Sequence, residues 1–169
     1  MTTTLFTNAH IATGEPGSTA ASTLPLQDIL VTDGVFTAFG PGLAQQYEAQ
    51  GGDPAAIEVV DLGGKLVCPP FCDTHLHLDY VFTARKPGAV NESGTLFEGI
   101  QRWSETKSDL TVDEIKQRAK IGIKKEMLHG VQLIRSHADV TDPNLTSLKA
   151  LLELKEELKD TVTLQIVSF

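Results

Sequence analysis

Two different spacings of apolar and polar residues divide the chain. Up to about residue 65 the apolar positions come in short runs: Leu5-Phe6-Thr7, Asp28-Ile29-Leu30-Val31 and Val35-Phe36-Thr37-Ala38-Phe39. Gly, Pro and the pair Asp33-Gly34 break them up. Runs of that length between turn residues predict a hairpin-rich β layer. Residues 41–54, with Gln45-Gln46, Gly51-Gly52 and few branched side chains, read as a surface insertion without chemistry ahead of a strand at Ile57-Glu58-Val59-Val60.

From Leu66 the pattern changes. Leu66-Val67-Cys68 opens a buried run that ends in Asp73-Thr74-His75-Leu76-His77. Thr111-Val112-Asp113-Glu114 has the spacing of a capping box, and Val112, Ile115, Ala119, Ile123 and Met127 follow at helical intervals up to Gly130, which predicts a helix of about 18 residues. Val131-Gln132-Leu133-Ile134 reads as a strand. Asp142-Pro143 then reads as the N-cap and first turn of a helix carrying Leu145, Leu148, Leu151, Leu152 and Leu158, and Val162 to Val167 as a further strand. Alternating strands and helices predict a parallel α/β sheet.

Composition sharpens the division. Residues 1–70 hold one basic residue (Lys65), seven acids, nine of the 14 Gly and six of the 8 Pro, whereas residues 71–169 hold 13 basic and 15 acidic residues. We read 1–65 as part of a β-sandwich and 66–169 as the first strands and helices of a (β/α)8 TIM barrel. A closed barrel takes about 250 residues, and 99 run from Phe71 to Phe169. The expectation is an incomplete barrel in a truncated chain.

A net charge of -8 argues against a nucleic-acid partner. No stretch has the roughly 20 apolar residues of a membrane span, and the first residues lack the basic and apolar pattern of a signal peptide, so no membrane partner and a cytoplasmic location are expected. Two cysteines cannot build a disulfide framework.

The candidate chemistry starts at His75 and His77. In a strand, side chains two apart point to one face, where two imidazoles can share a metal ion; a purely structural pair is the alternative. Asp73 has the same parity and is placed to hydrogen-bond an imidazole. Cys68 and Cys72 have the opposite parity, so they are read as buried thiols rather than as partners of the histidines in a structural zinc site. His137, at the end of the second strand, is placed at the same mouth, with Asp79 and Asp139 as candidates for orienting a ligand. Trp103 and Phe97 read as helix packing, and His10 and His129 as surface residues. The His-x-Glu and Pro-Cys-x-x-Cys signature of the cytidine-type zinc deaminases does not occur.

Pro70 to Asp79 resembles the first-strand metal motif of the amidohydrolase superfamily. Ser93-Gly94-Thr95-Leu96-Phe97-Glu98-Gly99-Ile100, with Arg102-Trp103, is similar to its cytosine deaminase branch, and the likeness continues through Ile134 to Val140 and Leu164 to Phe169. The resemblance implies hydrolytic deamination of cytosine or a similar cyclic amidine, a step of pyrimidine metabolism. It implies one divalent metal, Fe or Zn, on the positions matching His75 and His77, and Leu96 beside the substrate; His137, from its place at the strand end, is read as lining the same substrate pocket. The remaining ligands and the proton-transferring groups would follow Phe169, so no catalytic acid or base is expected within these residues, and the chain alone is expected to be inactive. Family resemblance also makes a homo-oligomer an expectation. The alternative from another class is a non-catalytic fragment that self-associates or binds partners through an open sheet edge.

Overall fold

The computed structural model of the chain describes residues 2–12 and 25–169. Its first unit ends at Pro69. Here β1 (Thr3–Ile11), β2 (Leu26–Thr32) and β3 (Val35–Gly40) pair antiparallel, while β4 (Glu58–Asp61) and β5 (Leu66–Val67) pair parallel to β1. The β2–β3 turn is the predicted Asp33-Gly34: both residues have positive φ, 49° and 78°, as a two-residue hairpin of this hand requires. Leu66 and Val67 pair with His10 and Ile11, so they belong with this sheet and not with the second part of the chain.

The stretch 41–54 departs from its reading as an insertion. It contains α1 (Leu43–Ala49) and leads into a single 3-10 turn at Pro54–Ala56. Leu43 is buried, and Asp28 accepts hydrogen bonds from the N–H groups of both Leu43 (3.0 Å) and Asn8 (3.2 Å). One carboxylate thus ties the helix start to two strands, which the lack of branched residues could not disclose.

The second unit runs from Pro70 to Phe169. Strands β6 (Phe71–Leu76), β7 (Val131–Ala138) and β8 (Thr163–Ser168) form a parallel sheet in that order. Helices α2 (Leu96–Lys107) and α3 (Val112–Leu128) lie between β6 and β7, and α4 (Thr146–Glu157) between β7 and β8. The architecture is mixed α/β.

Helix α3 begins where the capping spacing places it: the Thr111 hydroxyl accepts from the Glu114 N–H at 3.2 Å. Its apolar stripe buries Ile115, Ala119 and Ile123. Ile123 joins Ile134, Leu151, Leu154 and Leu164 in the core between α3, α4 and the sheet, each worth about 1.5–3 kcal/mol for a fully buried large aliphatic side chain. Gly122 lets α3 approach the loop after β6, because a Cβ there would already stand 3.4 Å from Leu78. Helix α4 starts later than read. Leu145 is the N-cap, and Asp142 acts from outside by accepting from the Thr146 N–H (3.0 Å) and hydroxyl (2.6 Å).

On β7, Ile134, Ser136 and Ala138 are buried towards the helices, whereas Leu133 and Arg135 lie on the open side of the sheet. No helix among the described residues is long and apolar enough to cross a membrane.

Candidate functional site

Strand β6 is irregular where its chemistry begins. Cys72 pairs with Leu133, Asp73 with Ile134, and Leu76 with Ser136, so three steps on β6 match two on β7 between Asp73 and Leu76. The extra residue is a bulge, and it resets the alternation of faces. Asp73 and Leu76 align with the helix-facing residues of β7. His75 comes to the open side beside His137, the side that Cys72 shares through Leu133.

Two sequence readings are corrected here. Parity does not separate Cys72 from the histidines, and both Cys68 and Cys72 are exposed free thiols instead of buried ones. Cys72 is uncovered because the helices pack on the other face of the sheet. Asp73 is engaged by the backbone: its carboxylate accepts from the His75 N–H at 2.9 Å, satisfying a donor at the bulge.

Three imidazoles gather at the C-terminal ends of β6 and β7. His75 and His77 have ring centroids 5.3 Å apart, His77 and His137 5.6 Å, and His75 stacks on His137 at 4.1 Å with 24° between planes. Imidazole nitrogens about 2.0–2.1 Å from one shared ion, at a tetrahedral angle, put their ring centroids about 5 Å apart. The His75–His77 pair fits that spacing, while the stacked His75–His137 pair faces ring to ring. Nδ1 of His77 and Nδ1 of His137 are buried without a hydrogen-bond partner. Burial first, then the neighbouring His75 and His137, pushes the His77 pKa below the usual histidine value, which favours the neutral ring that can ligate a metal. Among the described residues no set of three or more His, Cys, Asp or Glu converges to hold an ion. The spacing of His75 and His77 would suit two ligands of one ion.

Next to the histidines lies a cavity of about 620 Å³, walled by Tyr80, Leu96, Ile100, Trp103, Asp139 and Phe169 among others. The Tyr80 ring stacks on His77 at 4.7 Å and meets Trp103 at 4.7 Å; Phe169 meets His77 edge-on at 5.0 Å. Phe169 is pinned beside β7, since its N–H donates to the Ala138 carbonyl and its own carbonyl accepts from the Val140 N–H.

Leu96 is the first residue of α2 and 75% exposed at the cavity wall. Its placement follows from the Ser93-to-Glu98 stretch. The Thr95 hydroxyl accepts from the Glu98 N–H, while the Glu98 carboxylate accepts from the N–H groups of Glu92 (3.1 Å) and Ser93 (2.7 Å) and from the Ser93 hydroxyl. Those bonds, the Ser93 side chain foremost, hold the Glu98 pKa at about 2.

Asp79 and Asp139 are both buried. Asp79 Oδ2 accepts from the Asp139 N–H at 2.9 Å, its Oδ1 has no partner, and burial pushes its pKa above the usual carboxylate value. Asp139 is saturated. Oδ2 accepts from Trp103 Nε1 (2.5 Å) and Lys107 Nζ (3.0 Å), and Oδ1 from the Thr141 N–H (2.7 Å) and hydroxyl (2.6 Å). Burial opposes its ionisation, but the bonds from Thr141, Lys107 and Trp103 outweigh that and hold its pKa at about 2.

Tyr80, Lys107 and Phe169 at this site had no role in the sequence reading. Trp103 both packs and donates to Asp139, whereas Phe97, read as packing, is 83% exposed. The four-residue spacing of Trp103 and Lys107, which puts both on one helix face, was the available signal. Of the remaining histidines, His129 is exposed as expected and His10 is half-buried.

Comparison with known proteins places these residues in context. Residues 58–156 match the Amidohydrolase family. A crystal structure of 5-methylcytosine deaminase from Klebsiella pneumoniae, liganded with 5-fluorocytosine, is 38% identical with a TM-score of 0.77, covering 98% of this chain and 36% of that one. N-isopropylammelide isopropyl amidohydrolase of Pseudomonas sp. (strain ADP) is 35% identical over 114 residues, 65% of this chain and 28% of that protein. Pterin deaminase of Rhizobium rhizogenes is 27% identical over 145 residues, 83% of this chain and 30% of that protein. The chain spans about a third of the length of the relatives it matches.

Proposed function

The chain belongs to the amidohydrolase family, and we propose that it is the metal-carrying first part of a hydrolase that deaminates cytosine or a similar aminated heterocycle, breaking a non-peptide C–N bond. The observation that carries this reading is the His75–His77 pair at 5.3 Å, set beside a cavity with aromatic walls. The cytosine analogue bound by the 38% identical relative supports the substrate class. In this reading β6, β7 and β8 are the first strands of a (β/α)8 barrel, and the sheet of the first unit is part of a β-sandwich.

His75 and His77 would hold a divalent ion, Fe or Zn. When bound, such an ion supplies Lewis acidity that makes water a competent nucleophile near neutral pH. The chain's own residues do the rest of what these elements can do. His137, stacked on His75, fixes the plane of that ring. Tyr80 and Phe169 press on His77 from two sides, and with Leu96 and Trp103 they offer flat and apolar walls to a planar ring while displacing water from it. Two imidazoles are half a tetrahedral shell, so the chain alone is a weak metal binder without turnover, and the groups that move protons come from outside the described residues.

A titration with zinc, read on the imidazole NMR resonances, tests this. His75 and His77 are expected to shift together while exposed His129 stays put, and His77→Asn is expected to weaken binding by about tenfold or more. Shifts confined to other histidines, or unchanged affinity in His77→Asn, would overturn the reading.

One observation favours a second reading. β6 and β8 each pair on one side only among the described residues, an edge that suits a self-associating, non-catalytic module. A sedimentation series in which the chain stays monomeric at every concentration would eliminate it.

A further inference from the structure

Helix α2 forms most of one cavity wall, yet it buries no residue, and Leu96, Phe97 and Ile100 are all more than half exposed. Its apolar anchor is Trp103, which packs against the cluster of Leu110, Ile115 and Ala150, and polar bonds act beside it. Trp103 and Lys107, one turn apart on the face turned towards β7, both end on the same carboxylate oxygen of Asp139.

We propose that Asp139 is a positioning residue: its carboxylate latches α2 onto the end of β7 and so fixes the wall that a heteroaromatic ligand would meet. The ligand part of this inference rests on the function proposed above; the latch stands on geometry alone. Both Asp139 oxygens are filled by Trp103, Lys107 and Thr141, which leaves neither for an imidazole or an ion. The sequence reading of Asp139 as a group that orients a metal-binding histidine is thereby replaced by a role towards α2.

The latch also reaches the histidines. The Asp139 N–H donates to Asp79, two residues beyond His77 in the loop after β6. In parallel, the Tyr80 ring lies between Trp103 and His77, 4.7 Å from each. A shift of α2 moves Trp103, and Tyr80 is then free to leave the face of His77. Such a change alters how a flat ligand is clamped without removing either metal-binding imidazole, so ligand affinity and metal affinity separate.

Trp103 is the single tryptophan of the chain, so its fluorescence reports the latch directly. The experiment compares the whole chain with Asp139→Asn, which keeps the shape and loses the charge, and with Lys107→Gln and Lys107→Arg. Hydrogen exchange is followed by mass spectrometry, and binding of zinc and of 5-fluorocytosine by calorimetry. In Asp139→Asn, Trp103 emission is expected to move to longer wavelength and exchange over residues 96–107 to quicken about tenfold or more, while 112–128 and 146–157 keep their native protection. Lys107→Gln should show the same change in smaller measure, and Lys107→Arg should restore most of it. 5-Fluorocytosine should bind about tenfold more weakly to Asp139→Asn, with zinc affinity within about twofold of native.

Native protection of α2 in both Asp139→Asn and Lys107→Gln overturns the latch. So does equal quickening of α2, α3 and α4, which would make Asp139 a support of the whole unit. If Asp139→Asn does not fold, the contrast between Lys107→Gln and Lys107→Arg decides the matter. Loosened α2 with unchanged 5-fluorocytosine affinity overturns positioning. Loosened α2 in a native chain that binds no 5-fluorocytosine upholds the latch and overturns the claim that these elements alone clamp such a ligand.

Discussion

Helices α2 and α3 begin with the same instruction and end in opposite circumstances. Thr95-Leu96-Phe97-Glu98 and Thr111-Val112-Asp113-Glu114 share the Thr-x-x-Glu spacing, and in each the threonine hydroxyl accepts from the glutamate N–H, at 3.3 Å and 3.2 Å. Beyond the cap, α3 buries Ile115, Ala119 and Ile123, whereas α2 has no fully buried residue and is held by the packing of Trp103 and by polar bonds to Asp139. A cap specifies where a helix starts. What holds it in place is decided by the surface it meets, so one helix is part of the core and the other is an exposed wall fastened at a few points.

The largest test of that contrast is a pair of truncations. Ile123→Ala removes a core side chain at 2% exposure and is expected to lower unfolding free energy by about 2–4 kcal/mol in urea titrations. Ile100→Ala, on the exposed face of α2, should stay within about 0.5 kcal/mol of native. A large effect at Ile100 would show that α2 is packed as tightly as α3.

The second test uses pH. The Asp139 carboxyl titrates at about 2 in the folded chain, below its unfolded value of 3.8. A lowered pKa contributes stability that is fully present above the unfolded value and disappears as pH falls through the folded one. Between about pH 4 and pH 2 the native chain should therefore lose about 2 kcal/mol more than Asp139→Asn does. Parallel pH profiles for the two proteins would mean that neither Thr141 nor α2 holds the carboxylate in solution.

Much of the fold was legible where its signals are local. The apolar stripe of α3 and its cap, the strand after Gly130, and the Asp33-Gly34 turn each depend on residues close in sequence. His75 and His77 were legible as a pair for the same reason. What the sequence hid depends on pairing across strands or on distant partners. The bulge between Asp73 and Leu76 exists only relative to β7, so counting alternate residues put Asp73 with the histidines and Cys72 against them. The saturation of Asp139 needs donors 32 and 36 residues upstream and a turn two residues on. Phe97 shows the reverse failure: its spacing with Trp103 reads as packing, but no element meets that face of α2 among the described residues.

The smallest test exchanges the two caps. Thr111→Ala removes the bond to the Glu114 N–H from a helix that is part of the core, so the loss of about 1 kcal/mol should appear in global unfolding. Thr95→Ala removes the equivalent bond from α2, but there the Glu98 carboxylate still holds the N–H groups of Glu92 and Ser93, and no α2 residue is fully buried. Its loss should therefore be spent locally, as faster exchange at residues 96–99 with a urea midpoint close to native. If Thr95→Ala lowered the global midpoint as far as Thr111→Ala, α2 would have to be integral to the core, and the difference between the two helices would lie in exposure alone and not in stability.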